Sequence, residues 1–245
     1  MNKKIIAMIP ARYQSSRFPA KPLALIKGKP MIQWVYERVS AAEGISEVYV
    51  ATDDERIYDE VVRFGGKCRM TGDCACGTDR VYQASKDIDC DIVLNIQGDE
   101  PLIKVEMIQD LISAFEDEHV LMATLKKKVE TEREVTDPNV VKVITDHNED
   151  AIYFSRYGIP YNRDNRTDVP YFKHIGAYGY TKEFLETYVN LPEAELENIE
   201  KLEQLRVLEN GYKIRVKETK HQSIGVDLPE HIALVEEEMK KEGIE

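Results

Sequence analysis

The sequence predicts an α/β fold, with a mostly parallel central sheet, helices on both faces and a smaller mixed β region in the second half. Two observations predict it. Short apolar runs alternate with amphipathic stretches through the first hundred residues. Those runs are apolar throughout rather than at every second position, as expected of parallel strands covered on both faces. Ligands of such sheets bind beyond the carboxyl ends of the strands. The segments to inspect are therefore 10–29, 71–80 and 97–103, which are also the most unusual in this half.

Each element has its own signal. Lys3–Ile9 reads as the first strand. Its start looks like a secretory leader, but the apolar run is short, ends in Pro-Ala-Arg and lacks a small-residue cleavage site. Pro30–Ala42 reads as a helix with Met31, Trp34, Val35 and Val39 on one face and proline at its first position. Strand Glu47–Ala51, helix Asp54–Phe64 stopped by Gly65-Gly66, and strand Lys67–Met70 follow. Helix Thr78–Lys86 and strand Asp91–Ile96 complete the alternation. In the second half Val120–Leu125, Val140–Thr145, Ala151–Ser155, Ile175–Tyr180 and Tyr212–Glu218 read as strands. Lys182–Val189, Glu193–Glu209 and Pro229–Lys241 read as helices. No shift in composition marks a boundary, so 1–245 is expected to form a single domain.

Composition excludes several functions. The net charge of −12 argues against nucleic acid held on a broad basic face. No apolar run approaches the ~18 residues of a membrane span, so no membrane insertion is expected and the cytoplasm is the default location. The acidic excess of 191–203 and 235–245 reads as solvated helix faces. Cys68, Cys74, Cys76 and Cys90 do not form a disulfide framework. The C-x-C pair lacks the partners of a zinc site, so reduced thiols are expected.

Two loops carry the chemistry. The first runs Pro10-Ala11-Arg12-Tyr13-Gln14-Ser15-Ser16-Arg17-Phe18-Pro19-Ala20-Lys21-Pro22-Leu23. Arg12, Arg17 and Lys21 place three cations in ten residues at the ligand end of the first strand. A polyphosphate suits such groups, arginine as a planar fork and lysine as a compact charge. Neither G-x-G-x-x-G nor the P-loop lysine pattern is present. The second loop, Gln97-Gly98-Asp99-Glu100-Pro101, puts a carboxylate just past a buried strand. Mg²⁺ is commonly held by one or two carboxylates plus substrate phosphates and water.

Taken together, these loops resemble the 3-deoxy-D-manno-octulosonate (Kdo) cytidylyltransferases, within a wider nucleotidyltransferase class that includes CMP-sialate synthetases. The opening P-A-R-x-x-S-x-R-x-P-x-K-P-L, Val50-Ala51-Thr52-Asp53-Asp54 and Gly77-Thr78-Asp79-Arg80 carry the likeness, which runs from about Ile5 to the last helix. It implies a Rossmann-like nucleotide-diphospho-sugar transferase fold. Residues 1–125 would mainly bind CTP, 126–220 would mainly bind the sugar and dimerise, and 221–245 would return to the metal. The blocks Tyr153-Phe154-Ser155-Arg156, Lys173-His174-Ile175-Gly176-Ala177-Tyr178-Gly179-Tyr180 and Glu200-Lys201-Leu202-Glu203-Gln204-Leu205-Arg206 look Kdo-specific.

The resemblance implies attack of the sugar's anomeric hydroxyl on the α-phosphorus of CTP, with pyrophosphate leaving. Arg12 and Lys21, with Arg17 behind them, would hold the triphosphate. Asp99 and Asp227 would hold Mg²⁺, although Asp227 could also cap the closing helix. Arg80, Gln97 and the backbone at Ala11 would read cytosine. Arg156, His174, Tyr178, Glu203 and Gln204 would bind the acidic octulosonate, with a buried core histidine and a solvated helix glutamate as the plain alternatives for His174 and Glu203. A homodimer supplying lipopolysaccharide or capsule synthesis is implied.

Some positions depart from the family pattern. Asp73-Cys74-Ala75-Cys76 stands where Asp-His-x-Ser is usual, after a loop one residue shorter than the family's, Ala20 replaces a glycine and Leu228 a threonine. Ser16-Arg17-Phe18-Pro19, Val35-Tyr36-Glu37-Arg38 and Phe64-Gly65-Gly66-Lys67 look close to relatives that use 8-amino-3,8-dideoxy-octulosonate. That sugar is one alternative substrate and a phosphonate another. A non-catalytic nucleotide-binding protein is the alternative of a different class.

Overall fold

The computed structural model describes residues 3–14 and 17–244, so Ser15 and Ser16 of the first loop lie outside the described residues. The chain divides into two compact units, Met1–Gln109 with Gln222–Glu245, and Asp110–His221.

In the first unit, β1 (Ile5–Ala11) is the central strand, with Ile6 to Ile9 fully buried. A small hairpin, β2 (Leu25–Ile26) and β3 (Lys29–Pro30), leads into α1 (Met31–Ser40). Pro30 takes the N-cap position rather than the first helical one. Then come β4 (Ile45–Thr52), α2 (Glu55–Arg63), β5 (Cys68–Met70), α3 (Gly77–Ser85), β6 (Ile92–Asn95) and α4 (Val105–Ser113), whose residues from Asp110 on belong to the second unit. The strands are ordered β6-β1-β4-β5 and all pair in parallel. Asp54 caps α2, accepting from the Arg56 amide at 3.0 Å.

Two features shape the rim of this sheet. The first loop is closed by the Ala20 N–H donating to Tyr13 O at 2.9 Å, with Arg56 over the Tyr13 ring at 3.3 Å. Ala20 itself has φ 56, the left-handed region that a glycine enters at least cost. The chain's end also returns here. Ile26, Met31, Leu102, Val226, Val235 and Met239 form one buried cluster, which seats the C-terminal helix His231–Lys241. The Val226 N–H donates to Asp99 O at 2.8 Å, so the segment before that helix is pinned to the loop after β6.

The second unit is mixed. Its elements are β7 (Met122–Lys128), α5 (Glu132–Thr136), β8 (Lys142–Thr145), β9 (Ala151–Ser155), β10 (Phe172–Thr181), α6 (Lys182–Val189), α7 (Glu195–Glu200), α8 (Leu205–Glu209) and β11 (Arg215–Glu218). β7 pairs antiparallel with β10 and parallel with β11, while β8 pairs antiparallel with β9. The single helix expected over Glu193–Glu209 is two, because Lys201 turns left-handed at φ 54 and ends α7. In β10 the register jumps, with Ile175 opposite Leu125 and Tyr178 opposite Thr124. Gly176 and Ala177 are thus extra residues in a bulge, the device that re-aims side chains within a ladder. Among the described residues no helix is long and apolar enough to cross a membrane, and all four cysteines are free.

Candidate active site

A cavity of about 370 Å³ opens in the first unit, beyond the carboxyl ends of β1 and β6. Its wall includes Ala11, Arg12, Arg17, Lys21, Arg80, Gln97, Asp99 and Asp227. Every residue that the sequence suggests for nucleotide or metal therefore meets at one place, although the positions span more than two hundred residues of chain. Four supports bring them there: the end of β1 with the loop after it, the first turn of α3, the loop after β6 and the pinned C-terminal segment.

The floor is tight. A Cβ on Gly98 would lie 2.8 Å from the Pro10 carbonyl oxygen, so only glycine lets the two loops approach this closely.

Charges at the cavity are paired across it. Lys21 Nζ donates to Asp99 Oδ2 at 2.6 Å and lies 3.7 Å from Asp227 Oδ1. Arg17 donates to the same Asp227 oxygen at 2.9 Å. This differs from the helix-capping role open to Asp227: the N-cap position belongs to Glu230, and no side chain caps that helix. Arg12 is exposed and has no partner among the described residues. Next to Asp99, burial and then the Asp99 charge push the Glu100 carboxyl up to about 7.

Arg80 is held differently. It is nearly fully buried, donating to Thr71 Oγ1 at 2.5 Å and to Asp53 Oδ2 at 2.6 Å. Asp53 and Thr71 do not appear among the sequence candidates. The signal available for Asp53 is its place in Val50-Ala51-Thr52-Asp53-Asp54, directly after β4. In the preceding loop, Cys74 Sγ contacts Gly72 O and Gln83 Oε1, both at 3.5 Å, and burial pushes the thiol up.

Asp99 and Asp227 fit a divalent ion. Both carboxylates reach one ammonium group, so a cation already lies between them. No cluster of three or more acidic, histidine or cysteine ligands exists among the described residues. Mg²⁺ here would have to complete its shell with phosphate oxygens and water, which is its usual habit.

The remaining candidates lie in the second unit. Along a regular strand His174 and Tyr178 would stand about 13 Å apart. The bulge brings their rings to 5.4 Å. Thr124 Oγ1 lies 2.8 Å from Ala177 O and 2.9 Å from His174 Nε2. With its one proton on the carbonyl, that oxygen accepts from Nε2–H and leaves Nδ1 as an acceptor. Desolvation holds the His174 pKa down at about 3, so the imidazole is neutral. Tyr178 stacks on Tyr180, and Tyr180 on Tyr188. Burial raises the Tyr178 phenol, and the Glu203 charge adds to the shift. Gln204 is buried, and its Nε2 has no hydrogen-bond partner.

Arg156, a sugar candidate by its sequence block, has three of its five guanidinium donors on backbone carbonyls. Its guanidinium donates to Glu200 O at 2.7 Å, Pro138 O at 3.0 Å and Lys201 O at 3.4 Å. The side chain clamps the turn that leads to Glu203 and Gln204.

Cations able to receive a polyphosphate, set beside carboxylates able to share a metal with it, are what nucleotidyl transfer requires. The protein is a nucleotidyltransferase. The chain belongs to the cytidylyltransferase family, whose model matches residues 6–214. A 3-deoxy-manno-octulosonate cytidylyltransferase of Solibacter usitatus is 52% identical, over 96% of this chain and 94% of that one. An 8-amino-3,8-dideoxy-manno-octulosonate cytidylyltransferase of Shewanella halifaxensis is 50% identical, over 95% and 97%. The solved structure of a CMP:2-keto-3-deoxy-manno-octonic acid synthetase complexed with CTP matches with a TM-score of 0.93. It is 43% identical and covers 98% of this chain and 99% of its own.

Proposed function

We propose that the protein makes CMP-Kdo and pyrophosphate from CTP and Kdo. The observation that carries this reading is the meeting of Arg12, Arg17, Lys21, Asp99 and Asp227 at one cavity. The anomeric oxygen of the sugar forms a bond to the α-phosphorus, the bond to the β-phosphate oxygen breaks, and the hydroxyl proton is lost. Arg12, Arg17 and Lys21 receive the triphosphate, and Lys21 and Arg17 leave the two carboxylates to do so. Asp99 and Asp227 hold Mg²⁺, which supplies charge neutralisation at the phosphates. Positioning does the rest, because phosphoryl-type transfer asks little covalent chemistry of a protein.

His174, Tyr178, Glu203 and Gln204 bind the sugar in this reading. A neutral imidazole, a phenol and an amide suit a polyol. The relative named for the 8-amino sugar favours a second reading in which the reaction stays and the terminal hydroxyl is an amine. A cytoplasmic homodimer supplying lipopolysaccharide or capsule precursors fits either sugar.

The test is pyrophosphate release with CTP and Mg²⁺, comparing Kdo with its 8-amino analogue, with Asp99→Ala as control. Turnover of Kdo, lost in the control, supports the first reading. Preference for the amino sugar moves the substrate to the second. No turnover with either, in folded protein that binds CTP, overturns both.

A further inference from the structure

Arg80 stands apart from the other cations of the cavity. Arg17 and Lys21 pair with carboxylates that line the cavity and can turn to other partners. Asp53 and Thr71, the partners of Arg80, are not part of the cavity wall and grip the guanidinium from behind. The Arg80 side chain is only 5% exposed, so its charge depends on Asp53 for compensation. A guanidinium has five N–H donors. Two are taken, and the other three have no partner among the described residues.

A cation already compensated by a fixed carboxylate is a poor choice for a polyphosphate. It is a good choice for neutral acceptors. The 4-aminopyrimidine edge offers two side by side, O2 and N3. Uracil offers O2 but carries a hydrogen on N3, which would oppose an arginine N–H.

We infer that Asp53, assisted by Thr71, is a positioning residue for base selection. It fixes the orientation in which Arg80 presents its free donors to the O2–N3 edge of cytosine. The inference rests on the proposed use of CTP and adds to it the device that excludes UTP.

The experiment is calorimetric binding of CTP and of UTP, without acceptor sugar, to wild type, Asp53→Ala, Asp53→Asn and Thr71→Val. Thermal melts confirm that each is folded. Wild type is expected to favour CTP. In Asp53→Ala the CTP-to-UTP ratio should fall roughly 10- to 100-fold, the scale of one bidentate contact to a base edge. Asp53→Asn keeps an acceptor oxygen and should recover part of the ratio, and Thr71→Val should lose a smaller part. A purely structural role would weaken both nucleotides alike and leave the ratio unmoved, which overturns the inference. Wild type without a CTP preference overturns the nucleotide reading beneath it. Should Asp53→Ala not fold, Asp53→Asn and Thr71→Val carry the same comparison.

Discussion

The cavity of the first unit and the β10 bulge of the second are built from opposite materials. Apart from Arg80, the cavity holds charges that reach solvent, most of all Arg17, whose side chain is 63% exposed, and its partner Asp227 at 49%. An ion pair so exposed contributes at most about 1 kcal/mol, so exchanging it for phosphate or metal is inexpensive. The bulge holds groups that stay neutral, His174 kept unprotonated by desolvation and Tyr178 kept protonated. Exchangeable charge suits a triphosphate that arrives with its own cation. Fixed neutral dipoles suit a polyol, where geometry rather than charge must discriminate.

The largest effect that can break this contrast is at the metal carboxylates. Asp227→Ala should cut the rate of pyrophosphate release by roughly 10²- to 10³-fold at saturating Mg²⁺, the scale of losing one electrostatic stabiliser. Its melting temperature should hardly move, given the exposure of the side chain. CTP binding without metal should not weaken, since Arg17 is then freed while Lys21 keeps its pair with Asp99. Activity within a few-fold of wild type would remove Asp227 from the chemistry.

Gln204 sharpens the other side. Its Nε2 is buried without a partner, and an unmade buried hydrogen bond is costly. Gln204→Met is expected to raise KM for the acceptor sugar roughly tenfold or more, to leave KM for CTP unchanged, and to keep or raise the melting temperature. A rise in KM for CTP instead would place Gln204 outside the acceptor site.

The two regions also differ in how far the sequence reveals them. The sheet of the first unit was legible because β1, β6 and the end of β4 are apolar runs, and the cavity because arginine, lysine and aspartate crowd two short loops. The partners of Arg80 were not legible, since Asp53 and Thr71 follow different strands and only the parallel pairing of β4 and β5 joins them. In the second unit the helix break at Lys201 was hidden, because its left-handed turn is made without glycine or proline. The fate of Arg156 was hidden for a related reason. Its partners are backbone carbonyls, which leave no trace in residue type. The bulge carries a weak signal in Gly176, but its length is set by pairing with β7.

A pH series tests whether the bulge is neutral at all. His174 titrates near 3 in the folded chain against an ordinary 6.5. Between those values the unfolded chain binds a proton that the folded chain does not, so stability falls as pH drops through the window. The slope from this one group is at most about 1.4 kcal/mol per pH unit. His174→Gln keeps an amide able to face Thr124 and does not titrate. Its melting temperature should therefore fall less steeply than that of wild type from pH 6.5 to pH 4, with the two curves closest in slope above pH 7. Parallel curves through the window would mean that the imidazole is solvated and free to charge. His174 would then belong with the exchangeable charges of the first unit, and an acceptor carboxylate, rather than a hydroxyl, would be its natural partner.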